Sequence, residues 1–79
     1  MPGNVGLHNQ DTSMNTDTFE IQDMRAGGAI IARPTIRGGD TFRFNCASDE
    51  QGFGELNIRN VESTWVHFDF VRDGAELNM

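Results

Sequence analysis

Apolar and polar residues alternate one by one over most of the chain after Asp17, and this period of two constrains the fold more than any other feature. The clearest run is TFRFNCA at 41–47, in which Phe42, Phe44 and Cys46 alternate with polar side chains. Side chains of a β-strand point alternately to the two faces of a sheet, so such a run predicts a strand with one buried face. Comparable runs occupy residues 18–24, 29–36, 54–61 and 64–71.

Turn-forming residues separate these runs at intervals of about ten residues. They include the glycine pairs at 27–28 and 38–39, the polar segments 48–52 and 60–63, and Asp73-Gly74. This spacing predicts an all-β fold, a small antiparallel sandwich or barrel of five to six short strands over residues 18–79. Asp-Gly favours a tight hairpin, so we predict that the strand ending near Arg72 turns back there into a short strand over 75–79. Pro34 cannot donate a hydrogen bond to a neighbouring strand, so its strand is expected either to lie at a sheet edge or to start beside a bulge.

The apolar side of the alternating runs predicts the core. Four phenylalanines form its centre and four aliphatic side chains surround them: Phe42, Phe44, Phe68 and Phe70, with Ile30, Leu56, Ile58 and Val66. A domain of about 60 residues buries only about 60% of the surface of its unfolded chain, so its stability is marginal. The single Cys46 rules out a disulfide within the chain, and no Cys/His cluster provides a closed zinc site. Association with other chains is therefore the expected source of additional stability.

The first 17 residues lack this alternation and are rich in Asn, Asp and Thr. Such a composition is typical of a segment that is disordered in isolation. We predict an extended N-terminal arm over 1–17 that lies on a neighbouring protein and leaves the small β domain of 18–79 to fold alone. Val5 and Leu7 are its predicted apolar anchors, and amides such as that of Asn9 are predicted to hydrogen-bond the partner's backbone.

No arrangement of residues predicts catalysis or a cofactor site, so we expect that the chain is not an enzyme. Cys46 lies on the inward face of its strand, where burial suppresses the reactivity of a thiol. His67 and Asp69 share one face of their strand and could supply two metal ligands, with His8 and Asp11 as further donors. A hydrogen-bonded His–Asp pair on a strand face is the simpler interpretation, and no metal site is predicted.

The charge balance narrows the range of partners. Twelve Asp and Glu against six Arg, with no Lys, give a net charge of −6, which disfavours binding to a nucleic-acid backbone. No apolar run reaches the ~20 residues needed to cross a bilayer, and no secretory leader is visible, so we expect no membrane contact. The absence of lysine has two explanations: the composition of the genome, or use of the basic groups at protein contacts, where a planar guanidinium makes several directed hydrogen bonds.

The predicted partner-binding residues are those expected to lie outside the core of the domain. Besides Val5, Leu7 and Asn9 of the arm, they are Ile31 and Arg33 on one strand and Trp65, His67 and Val71 on another. A small β domain with apolar outer positions, a polar arm and no catalytic group is typical of an assembly subunit. We expect a non-enzymatic structural protein of a virion, most specifically a phage capsid decoration or cement subunit that binds the major capsid protein or its equivalent.

This hypothesis includes a homo-oligomer such as a trimer, made in the host cytoplasm and working in the virion; outside a virion the protein would be cytoplasmic. A second hypothesis is a small acidic inhibitor that occupies a basic nucleic-acid-binding site on a host protein. A third is a metal-dependent enzyme fragment that uses His67 and Asp69. Binding to a basic host protein would identify the second, and metal content the third.

Overall fold

The computed structural model describes residues 2–71 and 74–79. In these ranges the chain forms eight strands and one 3₁₀ turn: β1 (Pro2–His8), β2 (Thr16–Asp23), the turn (Met24–Ala26), β3 (Ala29–Ala32), β4 (Thr35–Arg37), β5 (Thr41–Ala47), β6 (Gly54–Asn60), β7 (Val66–Phe70) and β8 (Ala75–Asn78). The all-β prediction is confirmed, although eight strands replace the five to six predicted. No helix within the described ranges is long and apolar enough to cross a membrane.

The strands form two sheets with the core between them. The smaller sheet has the order β5-β1-β8, and the larger has the order β3-β2-β6-β7, with β4 also paired to β2. Strands β3 and β4 both pair with β2, and Pro34 lies between them; the register is the same on its two sides, at Ile21↔Ala32 and at Thr18↔Thr35. The carbonyl of Pro34 still accepts a bond from the Phe19 N–H, at 2.9 Å. The predicted edge position of this proline is confirmed.

The extended N-terminal arm is not what the structure shows. Residues Pro2–His8 form β1, the central strand of the smaller sheet, which pairs antiparallel with β5 and parallel with β8. Val5 and Leu7 are completely buried in the chain's own core. The prediction was wrong because two apolar residues around Gly6 are a weak strand signal, whereas pairing on both sides satisfies the backbone of β1 whatever its side chains are.

The last strand also pairs differently from the prediction. Strand β8 lies parallel to β1 in the smaller sheet, with Val5 opposite Ala75 and Leu7 opposite Leu77, instead of folding back on β7. The predicted hairpin at Asp73-Gly74 is therefore not formed between β7 and β8, although Asp73 itself lies outside the described residues. A two-residue hairpin joins neighbouring antiparallel strands of one sheet, and β7 and β8 belong to different sheets.

Both sheets contribute buried apolar side chains to the core. They are Val5, Leu7, Phe44, Cys46 and Leu77 from the smaller sheet, and Phe19, Ile21, Ile36, Leu56, Ile58 and Phe70 from the larger. Phe42 and Phe68 are only partly buried against this cluster. Most of the core faces predicted from the alternation are thus confirmed for β2, β5 and β6.

Two predicted core residues are exposed instead, Ile30 and Val66. The register of β3 shifts between Ile21 and Gln22, so that Ile30 pairs with Gln22 and leaves the inward face. Such a bulge reverses the faces predicted from alternation beyond it. Val66 is opposite Ile58 and faces inward. It is nevertheless exposed, because it lies on the edge strand β7 and the smaller sheet has too few strands to cover that edge.

Two buried polar residues join the sheets near opposite ends of β2. The Asp23 carboxylate accepts bonds from the Arg25 N–H, at 3.1 Å, and from the Ala47 N–H of the smaller sheet, at 2.8 Å. The Asn9 amide donates to Asp17 and to the Ile36 carbonyl, both at 2.9 Å. Among the described residues, no buried side-chain nitrogen or oxygen lacks a hydrogen-bond partner. Burial of these groups is therefore compensated.

Candidate functional site

The outer face of the larger sheet carries the polar side chains that alternate with its core residues. One set of four, here called the Glu20 row, runs across the strands through Arg33, Glu20, Arg59 and Trp65. The Arg59 guanidinium contacts the Glu20 carboxylate at 2.7 Å and lies over the Trp65 ring, 4.4 Å from its centroid. Arg33 contacts the same carboxylate at 3.7 Å. Glu20 is therefore shared by two guanidinium groups, one of which is also held by a cation–π contact.

A second group lies beside the Glu20 row on the same face. Glu55, His67 and Asp69 form the His67 cluster, in which one ligand atom of each residue lies within 4.8 Å of the other two. The Nε2 atom of His67 is 2.9 Å from Asp69 Oδ1, and its Nδ1 atom is 3.0 Å from Asn57 Oδ1. Glu55 is opposite Asp69 in the β6–β7 register. The sequence places His67 and Asp69 on one face but gives no sign of Glu55, which depends on that register.

The structure separates the predicted partner-binding residues into two groups. Val5 and Leu7 are core side chains, and Asn9 is buried with both functions of its amide hydrogen-bonded inside the chain. The others belong to opposite edges of the larger sheet. Ile31 and Arg33 lie at β3, and Trp65, His67 and Val71 lie in or beside β7. Trp65 is half-buried against Arg59, and Val71 is exposed.

Two of the exposed apolar residues that were not predicted as binding residues lie at these edges. Ile30 joins Ile31 at the first of these edges, and Val66 joins Val71 at the other. We call Ile30, Ile31 and Arg33 the β3 edge, and Val66, Phe68 and Val71 the β7 edge. Strands β3 and β7 end the order of the larger sheet, so each has one side that no described strand covers. Ile30 is exposed because of the bulge in β3, and Val66 is exposed because the smaller sheet is narrower than the larger. The sequence shows neither feature.

An open groove of about 390 Å³ lies at one end of the sandwich. Its lining includes Asn9, Asp11, Asp17 and Asn60. The Asp17 carboxylate already accepts bonds from Asn9 and Asn60. The hydroxyl and N–H of Ser13 hold the pKa of Asp11 below its ordinary value. Because these polar groups bond mainly to one another, the groove offers little to orient a ligand.

Cys46 is buried in the core, as predicted from its inward position. Burial, and secondarily the negative charge of Asp23, raise the pKa of Cys46 to about 11. The thiolate is the reactive form of cysteine, so this residue is unsuited to act as a nucleophile.

We expect the stability of the protein to fall at alkaline pH because of Cys46. Between its ordinary pKa of 9.0 and about 11, the unfolded chain releases the thiol proton while the folded chain retains it. The contribution of the protonated Cys46 thiol to the free energy of unfolding is present in full below pH 9.0 and is lost as the pH rises toward 11. Urea unfolding across that range measures the effect. Cys46→Ala, the matched variant, should lose less stability over the same range; equal losses would contradict the assignment.

Comparison with known proteins places the chain in no family. No family model matches it, and neither a curated protein nor a solved structure does. The function must therefore be inferred from the buried and exposed residues of the two sheets, and the residues that stand out are those of the β3 edge, the β7 edge and the His67 cluster.

Proposed function

We propose that this chain is a non-enzymatic structural protein that assembles with neighbouring protein subunits through the two edges of its larger sheet. The observation that carries the proposal is the exposure of apolar side chains at both edges. Ile30 is 48% and Ile31 38% exposed at the β3 edge, and Val66 is 42% and Val71 53% exposed at the β7 edge. Neighbouring apolar side chains exposed at a strand edge mark a surface that contacts another molecule.

The charges at the two edges are complementary. Arg33 belongs to the β3 edge, and its side chain is 65% exposed. Asp69, 71% exposed, lies on β7, with Glu55 opposite it on β6. The β3 edge of one copy therefore fits the β7 edge of another in both apolar character and charge, and such complementarity fixes the orientation of a contact.

A contact between two different edges is heterologous. Repeated with a suitable rotation, it closes a ring, and a ring of three copies would give the trimer expected from the sequence. The same edges would bind a different protein that presents a strand edge of similar character. Within this class we favour a virion decoration or cement subunit seated on capsid proteins and made in the host cytoplasm. The first strand has no part in this proposal, because Val5 and Leu7 are internal.

The acidic-inhibitor hypothesis receives less support. An inhibitor of a basic site needs its carboxylates free to face that site. Glu20 is paired with two arginines, Asp23 is buried, and Asp17 accepts bonds from Asn9 and Asn60. Asp49 accepts the Phe53 N–H, which lowers its pKa, and also contacts Arg25. These four carboxylates are engaged within the chain, whereas Glu55 and Asp69 are exposed.

Sedimentation velocity over a range of micromolar concentrations tests the assembly proposal. We expect the mass of the parent chain to rise with concentration. Ile30→Lys and Val66→Lys should each weaken association at least about tenfold, which is about 1.4 kcal/mol, because each buries a charge in the contact. Met14→Ser is the matched control, since Met14 is 64% exposed but lies in the β1–β2 connection and belongs to neither edge.

Mixing the two lysine variants identifies the type of contact. The Ile30→Lys chain retains an intact β7 edge, and the Val66→Lys chain retains an intact β3 edge. An equimolar mixture should therefore form a heterodimer that grows no further, although each variant alone is monomeric. A parent chain that is monomeric at all concentrations, or a mixture that stays monomeric, would overturn the edge-to-edge proposal.

A further inference from the structure

The His67 cluster is built on two neighbouring strands of the larger sheet. Glu55 lies on β6 and is paired with Asp69 on β7, and His67 is two residues before Asp69 on the same face. All three side chains are exposed, so an ion in solution can reach them without any opening of the fold. The paired backbones hold the three ligand atoms near one another, as a binding site requires.

Residues outside the cluster determine how the His67 ring is protonated. The Asn57 amide nitrogen donates to Gln22 Oε1, at 3.1 Å, and contacts Met24 Sδ, at 3.2 Å. The Asn57 carbonyl oxygen consequently faces His67 Nδ1, at 3.0 Å. A carbonyl oxygen only accepts hydrogen bonds, so His67 Nδ1 must carry the proton.

In a neutral ring of this tautomer, the lone pair of Nε2 points at the carboxylates. His67 Nε2 is 2.9 Å from Asp69 Oδ1, and a Glu55 oxygen completes the group. These three donors are stabilised by a positive charge between them, which is either a second ring proton donated to Asp69 Oδ1 or a bound cation. A second hydrogen bond that orients a histidine toward an ion is the usual support of a metal ligand.

We propose that Glu55, His67 and Asp69 bind a divalent transition-metal ion on the outer face of the larger sheet. One imidazole and two carboxylates suit Zn²⁺ or Mn²⁺ better than Ca²⁺ or Mg²⁺, which prefer oxygen ligands alone. Two carboxylates balance the charge of the ion, and water completes its coordination. Because its ligands come from β6 and β7, the ion would fasten the edge strand to the rest of the sheet. Asp69 and Glu55 also supply the acidic charge of the proposed contact at this side of the sheet, so the metal site and the association are tested in separate measurements.

Calorimetric titration of the full chain with Zn²⁺ alone, in a non-coordinating buffer at neutral pH, tests the site. We expect one ion per chain, no change in molecular mass, and a thermal midpoint that rises with Zn²⁺ concentration, since an ion that binds only the folded state stabilises it. His67→Gln should abolish these effects. His8→Gln is the matched control, because His8 contacts Thr41 in the other sheet and should leave binding unchanged.

A second variant tests the orienting role of Asn57. Asn57→Ala keeps all three ligands but frees the His67 ring, and it should weaken Zn²⁺ binding about 10–100-fold. The ¹⁵N shifts of His67 should report a protonated Nδ1 in the parent without metal and a mixture of tautomers in the variant. Absence of Zn²⁺ binding to the parent, two chains per ion, or equal binding by His67→Gln would overturn the proposal. The association measurements are made with EDTA present, so either proposal can fail alone.

Discussion

Removal of residues 2–8 is expected to unfold the whole chain. These residues form β1, which pairs through seven residues with β5 and through four with β8. Without β1, the two outer strands of the smaller sheet have no partner, and one face of the larger sheet loses its cover. The loss includes two of the completely buried side chains, Val5 and Leu7. Truncation of a single buried leucine to alanine already costs about 2–5 kcal/mol.

Circular dichroism and the spread of amide NMR signals measure the outcome. The truncated chain should lose both its strand signal and its cooperative melt. A synthetic peptide of residues 1–9 added to it should restore them in part, because the missing strand can be supplied from outside. Leu7→Ala is a milder change to the same strand. This variant should keep the fold but lose a large part of the free energy of unfolding. A truncated chain that unfolds cooperatively, with the spectrum of the parent, would show that residues 1–17 are a separate arm after all.

Phe70→Ala is expected to be among the most destabilising single substitutions, at about 3–5 kcal/mol. The Phe70 ring is buried and packs directly over Gly54, where a Cβ atom would overlap it. The backbone of Gly54 cannot move into the space that the ring leaves, so a cavity should remain. Urea unfolding of the dilute protein gives the free energy of unfolding.

Phe68→Ala is the natural comparison, since Phe68 lies on the same face of β7 but is only partly buried. We expect about half the effect of Phe70→Ala, because the ring loses less contact with the core. The difference should become smaller at concentrations at which the β7 edge is occupied by another copy. Equal losses in the dilute protein would mean that the inward face of β7 is covered along its full length, contrary to the exposure of Val66.

Alternation of residue types predicts the faces of the longer strands well, because a sheet covered on one side selects apolar residues at every second position. Phe44, Leu56, Ile58 and Phe70 are buried as expected. It does not predict which strands become neighbours. The parallel pairing of β8 with β1 joins residues about 70 positions apart, and no local signal specifies it.

The remaining errors have local causes. One extra residue in β3 moves Ile30 to the outer face, and a bulge of this kind leaves no mark on the residue pattern. The His67 cluster is half visible in the sequence, since His67 and Asp69 are two residues apart. Glu55 joins them only through the β6–β7 register, which depends on the whole loop between those strands.

The pairing of β1 with β8 also affects how the protein is made. Strand β1 is synthesised before β8, so Val5 has no partner on one side until Ala75 has been added. At 5–20 residues per second, synthesis of the intervening chain takes roughly 4–14 s. During that interval β1 offers an open strand edge to other nascent chains. Translation speed is therefore one of the conditions under which this protein folds, and slow synthesis prolongs the period in which two incomplete chains can pair with each other.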